Sequence, residues 1–325
     1  MLSLSSCLDM ISCELEILHS ENRKPVELYQ PIHYILTLGG KRIRPALALM
    51  ACNLFSDDVV PSMKPAMAIE LFHNFTLIHD DIMDNAPLRR NQPTVHEKWD
   101  SNVGILSGDA MQIMAFQLMC DASLSKLKPL LDVFNTTAIK VCEGQQYDMN
   151  FAARNDVSLE EYIQMIELKT SVLLAASMKI GALCGDAPVN EAQKLYEFGR
   201  NLGIAFQIQD DYLDVYADQE IFGKTVGGDI AENKKTFLLI KALELAKGQH
   251  AVLLQNAINN HIFDGDEKIK QVRQVYDELN IPYITRKSIL EYSDKAFSFL
   301  DSVQVSEERK SVLRQLALEL MNREK

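Results

Sequence analysis

Glycine and proline are scarce, at 14 and 10 in 325 residues. With so few breakers the chain has room for few turns, which favours long helices over many short strands. No stretch sustains the apolar–polar alternation of a strand. The six cysteines, at 7, 13, 52, 120, 142 and 184, are scattered and never form a CxxC pair. Cys120, Cys142 and Cys184 fall in apolar helical patterns and are expected to be buried free thiols in a reducing cytoplasm. Basic residues are outnumbered, 33 Lys and Arg against 45 Asp and Glu, for a net charge of -12. With no basic stripe to offset that balance, nucleic acid is excluded as the main partner. The apolar run Val172 to Cys184 is too short to span a bilayer and contains Lys179, so no membrane span is expected. The start, Met1 to Ile17, lacks a basic segment and carries Asp9, Glu14 and Glu16, so a signal peptide is not expected either.

What is present is a soluble-type composition, 47% hydrophobic and 24% charged, long enough for one large domain or two ordinary ones. Helical patterns run over 3–19, 45–55, 63–84, 95–99, 103–121, 128–151, 158–184, 190–216 and 234–246, and 250–325 is helical in pattern without a chemical motif. Pro25 and Pro31 are expected to bound a short element. Ser158 with Glu161 reads as a capping box, and Asn190 as an N-cap.

The 63–84 pattern ends in Leu77-Ile78-His79-Asp80-Asp81-Ile82-Met83-Asp84. In a helix Asp80 and Asp84 share a face one turn apart, where two carboxylates repel unless a cation joins them. The same DDxxD spacing returns at Asp210, Asp211 and Asp214. One such cluster is more often a solvated helix end than a site. Two, each after an apolar helical run and each before a loop with basic residues, point to a cage of oxygen ligands for a hard cation such as Mg2+, which takes substrate phosphates as further ligands.

The basic residues complement this. In Gly39-Gly40-Lys41-Arg42-Ile43-Arg44-Pro45, Lys41 and Arg44 are three apart, expected on one face beside a helix N-terminus that attracts anions. Alone this is a basic helix start on the surface. A cation at an N-terminus is locally unfavourable, however, unless an anion joins it. Arg89 and Arg90 lie in the proline-interrupted loop after Asp84; alone they are surface residues, beside the carboxylates they form a diphosphate clamp. Lys169-Thr170, inside an apolar helix, reads equally as a snorkelling lysine or a ligand contact. Gln207 is one turn before Asp211 and can bond a neighbour or a ligand. His73, two turns before Asp80 on the same face, is either a satisfied core histidine or a ligand contact. The pair His79-Asp80 is similar to that of metal phosphohydrolases, but the further histidines such a site needs are missing. The segment 222–229, with Lys224, lacks the GxxxxGK[ST] order of a P-loop and fits a flexible cationic lid, followed by Lys234.

Together GGKRIRP at 39–45, DDIMD at 80–84 with RR at 89–90, GQQYD at 144–148, KT at 169–170, FQIQDDYLD at 206–214 and GKTVGGD at 223–229 resemble, in order and spacing, the trans-isoprenyl diphosphate synthases, or polyprenyl synthetases. The resemblance covers residues 39–236 and implies an all-α, single-domain helical bundle over 1–325 around a central active-site cavity. It further implies a homodimer, three Mg2+ ions, and condensation of isopentenyl diphosphate with an allylic diphosphate. By position, Asp80, Asp81, Asp84, Asp210, Asp211 and Asp214 resemble the metal set. Asp80, Asp81, Asp84, Asp210 and Lys169 resemble the catalytic set. Lys41, Arg44, His73 and Arg90 resemble the isopentenyl diphosphate site; Arg89, Lys169, Thr170, Gln207 and Lys224 resemble the allylic site, with Lys234 another substrate contact. Asn91 and Asn233 stand where the family often has glycine; asparagine tolerates the left-handed conformation, so the chemistry is unaffected.

In this family bulk upstream of the first cluster limits product length. Phe75 is five residues before Asp80, Thr76 four and Phe72 eight. An aromatic at the fifth position with a small residue at the fourth resembles a geranylgeranyl diphosphate synthase; a farnesyl diphosphate synthase is the alternative. A terpene cyclase would have a different second motif and no use for Lys41 and Arg44. A non-catalytic subunit of a heteromeric synthase would have lost motif carboxylates, and all six are present.

Overall fold

The computed structural model describes residues 1–20, 23–217, 227–259 and 265–322. These are almost entirely helical, as the shortage of breakers predicts. In chain order the helices are α1 (Leu4–Ser20), α2 (Val26–Thr37), α3 (Ile43–Asn53), α4 (Val60–Met83), α5 (Val95–Lys98), α6 (Ser101–Cys120), α7 (Leu124–Ala152), α8 (Leu159–Ile166), α9 (Val172–Cys184) and α10 (Val189–Tyr216). They continue as α11 (Gly228–Ala231), α12 (Phe237–Leu245), α13 (Gln249–Asn259), α14 (Gly265–Glu278), α15 (Ile281–Ser302) and α16 (Glu307–Met321). Between α4 and α5 a two-residue antiparallel ladder, β1 (Leu88–Arg89) with β2 (Gln92–Pro93), pairs Leu88 with Pro93 and Arg89 with Gln92.

The helices gather into two compact units. The first comprises residues 1–137, 173–196 and 303–313; the second comprises 138–172, 197–302 and 314–325. In the first unit α4 packs along α6, and α3 meets α9 backbone to backbone. A Cβ at Gly181 would lie 2.0 Å from the Ala48 carbonyl oxygen, so only glycine permits that approach. The second unit buries Tyr162, Ile208, Phe237 and Tyr276 in one apolar core.

Several local expectations need correction. Pro31 lies inside α2 rather than bounding an element; it removes one backbone donor without ending the helix. The 158–184 run is two helices joined by a π-helical turn, Glu167–Ser171. The helix after Pro188 starts at Val189, with the Pro188 carbonyl accepting from Ala192, so Asn190 lies inside it and its side chain bonds Glu191. The helix expected from Lys234 begins at Phe237, where the Thr236 side chain caps it by accepting from the Leu239 N–H. Cys120 and Cys142 are exposed, whereas Cys7, Cys52 and Cys184 are buried; the apolar stripes of α6 and α7 turn the first two outward. The Ser158–Glu161 capping box forms as expected. By length and composition α6 is apolar enough to cross a membrane; here its buried side packs on α4.

Candidate active site

In the first unit the carboxylates stand at the C-terminal end of α4. Asp84 is exposed at the C-cap and Asp80 is half-buried one turn back, so the shared face expected from spacing is present. Asp81 points elsewhere. It is buried, and its two oxygens accept from Nε and Nη2 of Arg89, each at 2.7 Å. This fork is made by the β1–β2 hairpin, whose turn residues Arg90 and Asn91 sit at φ 54° and 61°. Two positive φ values in a two-residue loop are what the strand twist requires, and asparagine meets that requirement at position 91. Asn233 does the same at φ 58°.

The basic segment before α3 is built differently from the expectation. The helix starts at Ile43, after Arg42 in the left-handed region at φ 47°, so Lys41 lies outside it and shares no helical face with Arg44. Arg42 turns inward instead and donates to Glu70 and to the Leu36 carbonyl; Glu70 also accepts from Asn74 at 2.8 Å. Gly40, at φ 135°, leaves room for the Arg90 guanidinium: a Cβ there would lie 2.7 Å from its Nη2. Arg44 Nη1 lies 3.2 Å from His73 Nε2. Arginine can only donate, so His73 accepts and is neutral. Burial, then Arg44, Arg90, Arg89 and Arg42, hold the His73 imidazole well below its ordinary range. Burial also brings Arg44 down to about 10. Its Nε is buried with no acceptor among the described residues. Clustered guanidinium groups with an orphaned donor make a locus of positive potential, the kind that suits a phosphate oxygen.

In the second unit a cavity of about 150 Å³ is lined by Asp148, Lys169, Thr170, Gln207, Lys234 and Thr236, among others. Lys169 and Thr170 come from the π-helical turn, which two glycines press from both sides. A Cβ at Gly144 would fall 2.3 Å from the Lys169 nitrogen, and one at Gly203 2.7 Å from the Ser171 Cα. Lys169 Nζ donates to Asp148 at 2.5 Å, so it is a cavity cation rather than a snorkelling one. Thr170 donates to Gln207 Oε1 at 3.1 Å. Asp211 is buried and accepts from Tyr162 Oη at 2.5 Å and from the Phe237 N–H at 3.0 Å. Lys234 lies 3.4 Å from Asp229. Burial would lower its ammonium, but Asp229, Asp211 and Asp148 outweigh that and raise it. Asp214 accepts from the Asp229 N–H at 3.0 Å. Burial and then Asp229 push the Asp214 carboxyl up to about 6. Lys224 and most of the expected lid lie outside the described residues.

Each unit therefore gathers its own share of the expected residues, and in each cluster the second aspartate is already engaged by protein donors. Among the described residues no three carboxylates converge as a ready-made cage. Arg42, Glu70, Tyr162 and Asp229 were missed as structural partners. An ionisable Glu70 inside the apolar face of α4 was the one signal available.

Residues 25–279 match the polyprenyl synthetase family. A short chain isoprenyl diphosphate synthase of Methanothermobacter thermautotrophicus is 40% identical over 292 residues, 90% of this chain and 86% of that one. A crystal structure of a geranylgeranyl pyrophosphate synthase superposes with a TM-score of 0.95 at 43% identity, covering 100% of both chains. A polyprenyl synthase from Caulobacter crescentus, crystallised with calcium and isoprenyl diphosphate, superposes at 0.87 with 26% identity over 99% of this chain and 97% of that one. Carboxylate clusters at helix ends, an arginine-crowded neutral histidine and a lysine-lined cavity thus sit in a fold shared along its whole length, and this chain belongs to the polyprenyl synthetase family as a trans-prenyltransferase.

Proposed function

We propose that this enzyme condenses isopentenyl diphosphate with an allylic prenyl diphosphate, with Mg2+, to give geranylgeranyl diphosphate. The observation that carries the reading is the presence of two unlike anion-binding sets. One is a crowd of guanidinium groups around neutral His73, with the orphaned Nε of Arg44. The other is a lysine-lined cavity beside a carboxylate cluster. The first suits a diphosphate that remains intact. The second suits the diphosphate that departs; Asp80, Asp84, Asp210 and Asp214 are the carboxylates that would hold the metal.

Held by those carboxylates, Mg2+ (three ions, in this reading) would supply positive charge against the leaving diphosphate. Lys169, Arg89, Gln207, Lys224 and Lys234 orient that leaving group and share its charge. The allylic C–O bond breaks, and the double bond of isopentenyl diphosphate, held by Lys41, Arg44, His73 and Arg90, forms the new C–C bond. The resulting cation loses a proton to the departed diphosphate, which restores a double bond. The reading further requires that water be kept from the cation. Phe72, Phe75 and Thr76 limit product length. The chain acts as one domain, as a cytoplasmic homodimer, with Ile105, Leu106 and Ile113 on the exposed side of α6 meeting a second copy.

Incubation with isopentenyl diphosphate, each allylic primer and Mg2+, followed by chromatography of the dephosphorylated products, tests this. Geranylgeraniol is expected. Farnesol as the end product would move the assignment one isoprene unit down. A cyclic hydrocarbon from farnesyl diphosphate alone, or no turnover by the purified protein until another chain is added, would overturn it.

A further inference from the structure

His79 immediately precedes the first carboxylate, yet neither the metal nor the substrate sets use it. On α4 it faces α6. Its Nε2 lies 3.2 Å from the Ile105 carbonyl oxygen. A carbonyl only accepts, so Nε2 carries the proton in this contact. The imidazole occupies the place a side chain at Gly108 would take: a Cβ there would lie 2.3 Å from Nε2 and 2.6 Å from Cδ2. One turn earlier on α6, Gly104 seats Ile82 in the same way, its Cβ falling 2.8 Å from Cδ1. Two glycines one turn apart therefore let α6 close onto α4 and pin the side chains that flank Asp80 and Asp81.

One turn before His79 stands Phe75. Its ring meets the imidazole edge-on, with centroids 4.8 Å apart, and meets Phe72 on its other side at 5.5 Å. Phe72 is itself fixed against Phe134 at 5.4 Å. Phe75 is thus wedged between one aromatic anchored on α7 and one imidazole anchored on α6. Thr76, the other nearby candidate, has its hydroxyl tied back to the His73 carbonyl at 2.8 Å.

We infer that His79, seated in the notch at Gly108, is a specificity-determining residue: it backs Phe75, so that the ring stays across the path of the growing chain. This rests on the chain-length reading proposed above. Without the imidazole, Phe75 has an adjoining void into which it can swing, and a prenyl tail one unit longer can pass. Any side chain at Gly108 evicts the imidazole and has the same effect. His79 acts through Phe75 and does not touch the reacting atoms.

The test compares products from farnesyl diphosphate, isopentenyl diphosphate and Mg2+ for Phe75→Ala, His79→Ala, Gly108→Ala and His79→Gln. The glutamine amide can still donate to the Ile105 carbonyl and occupies much of the ring's volume. Expected is a rise of about tenfold in the ratio of longer to wild-type product for the first three, the scale on which an apolar pocket discriminates small length differences. His79→Gln keeps the wild-type length. If Phe75→Ala lengthens the product while His79→Ala and Gly108→Ala do not, the inference is wrong and the chain-length reading stands. If Phe75→Ala itself leaves the length unchanged, the inference falls together with Phe75's part in the chain-length reading. Should Gly108→Ala not fold, His79→Ala decides alone. A loss of turnover without a change in product length marks a merely structural role and also overturns the inference.

Discussion

Gly40 shows how one residue sets another's place. Its φ of 135° and the 2.7 Å between a Cβ and the Arg90 guanidinium make any side chain there doubly unfavourable. Gly40→Ala is expected to displace Arg90 and cost about 10²-fold in kcat/KM for isopentenyl diphosphate, the order that misplacing a contact by an ångström costs. KM for the allylic substrate should be unchanged; steady-state kinetics varying each substrate in turn checks this. Asp214 supplies a pH prediction. In the metal-free protein its carboxyl is pushed up from 3.8 to about 6 by burial and Asp229. Between those values the folded state holds more protons at this site than the unfolded one, so its contribution to stability falls as pH rises through about 6. Relative to Asp214→Asn, the metal-free wild type should therefore lose melting temperature from pH 5 to pH 7. An equal slope in both proteins would count against it. Legibility at this scale was uneven. The aspartates could be read because their spacing places them on a helix by local geometry alone. The inward turn of Arg42 toward Glu70 and the engagement of Asp211 by Tyr162 could not, because those partners lie 28 and 49 residues away; Arg89 is only eight residues from Asp81, but the hairpin that folds it back left no pattern to read.

At the scale of elements, the departure with most consequence is the π-helical turn Glu167–Ser171. Such turns inside helices frequently mark functional sites. Here the turn carries Lys169 and Thr170 to the cavity wall, and the backbones of α7 and α10 come close to it only because Gly144 and Gly203 lack side chains. Gly203→Ala forces a methyl group against Ser171. It should lower stability by about 1–3 kcal/mol, the usual cost of overpacking, and reduce kcat with little change in helical circular dichroism. A variant with wild-type kcat would show that the turn tolerates displacement. The 158–184 run reads as one continuous apolar helix, since no proline or glycine interrupts it before Gly181. A single extra residue per turn leaves no signature in composition. The hairpin at 88–93 was legible only as a non-helical loop; its ladder is too short to show alternation.

At the scale of the whole molecule, the outward side of α6 calls for a cover. Ile105, Leu106 and Ile113 are 45%, 60% and 61% exposed, an apolar stripe that a homodimer would bury. Ile113→Glu is expected to shift the protein from dimer to monomer in light scattering coupled to gel filtration, while the wild type elutes as a dimer. A wild-type monomer would remove the dimer from the proposal.

The order and spacing of the motifs were enough to identify the family and the all-α class, because DDxxD, paired arginines and glycine-bounded basic segments encode chemistry over a few residues at a time. Helical periodicity likewise depends only on neighbours along the chain. Only the tertiary structure decided that Asp81 is engaged by Arg89 and Asp211 by Tyr162. It also decided that His73 is neutral among arginines, and that His79 is locked into a notch on α6. Those outcomes depend on burial and on which side chains the fold brings together, where desolvation and shape complementarity, rather than spacing, set the balance.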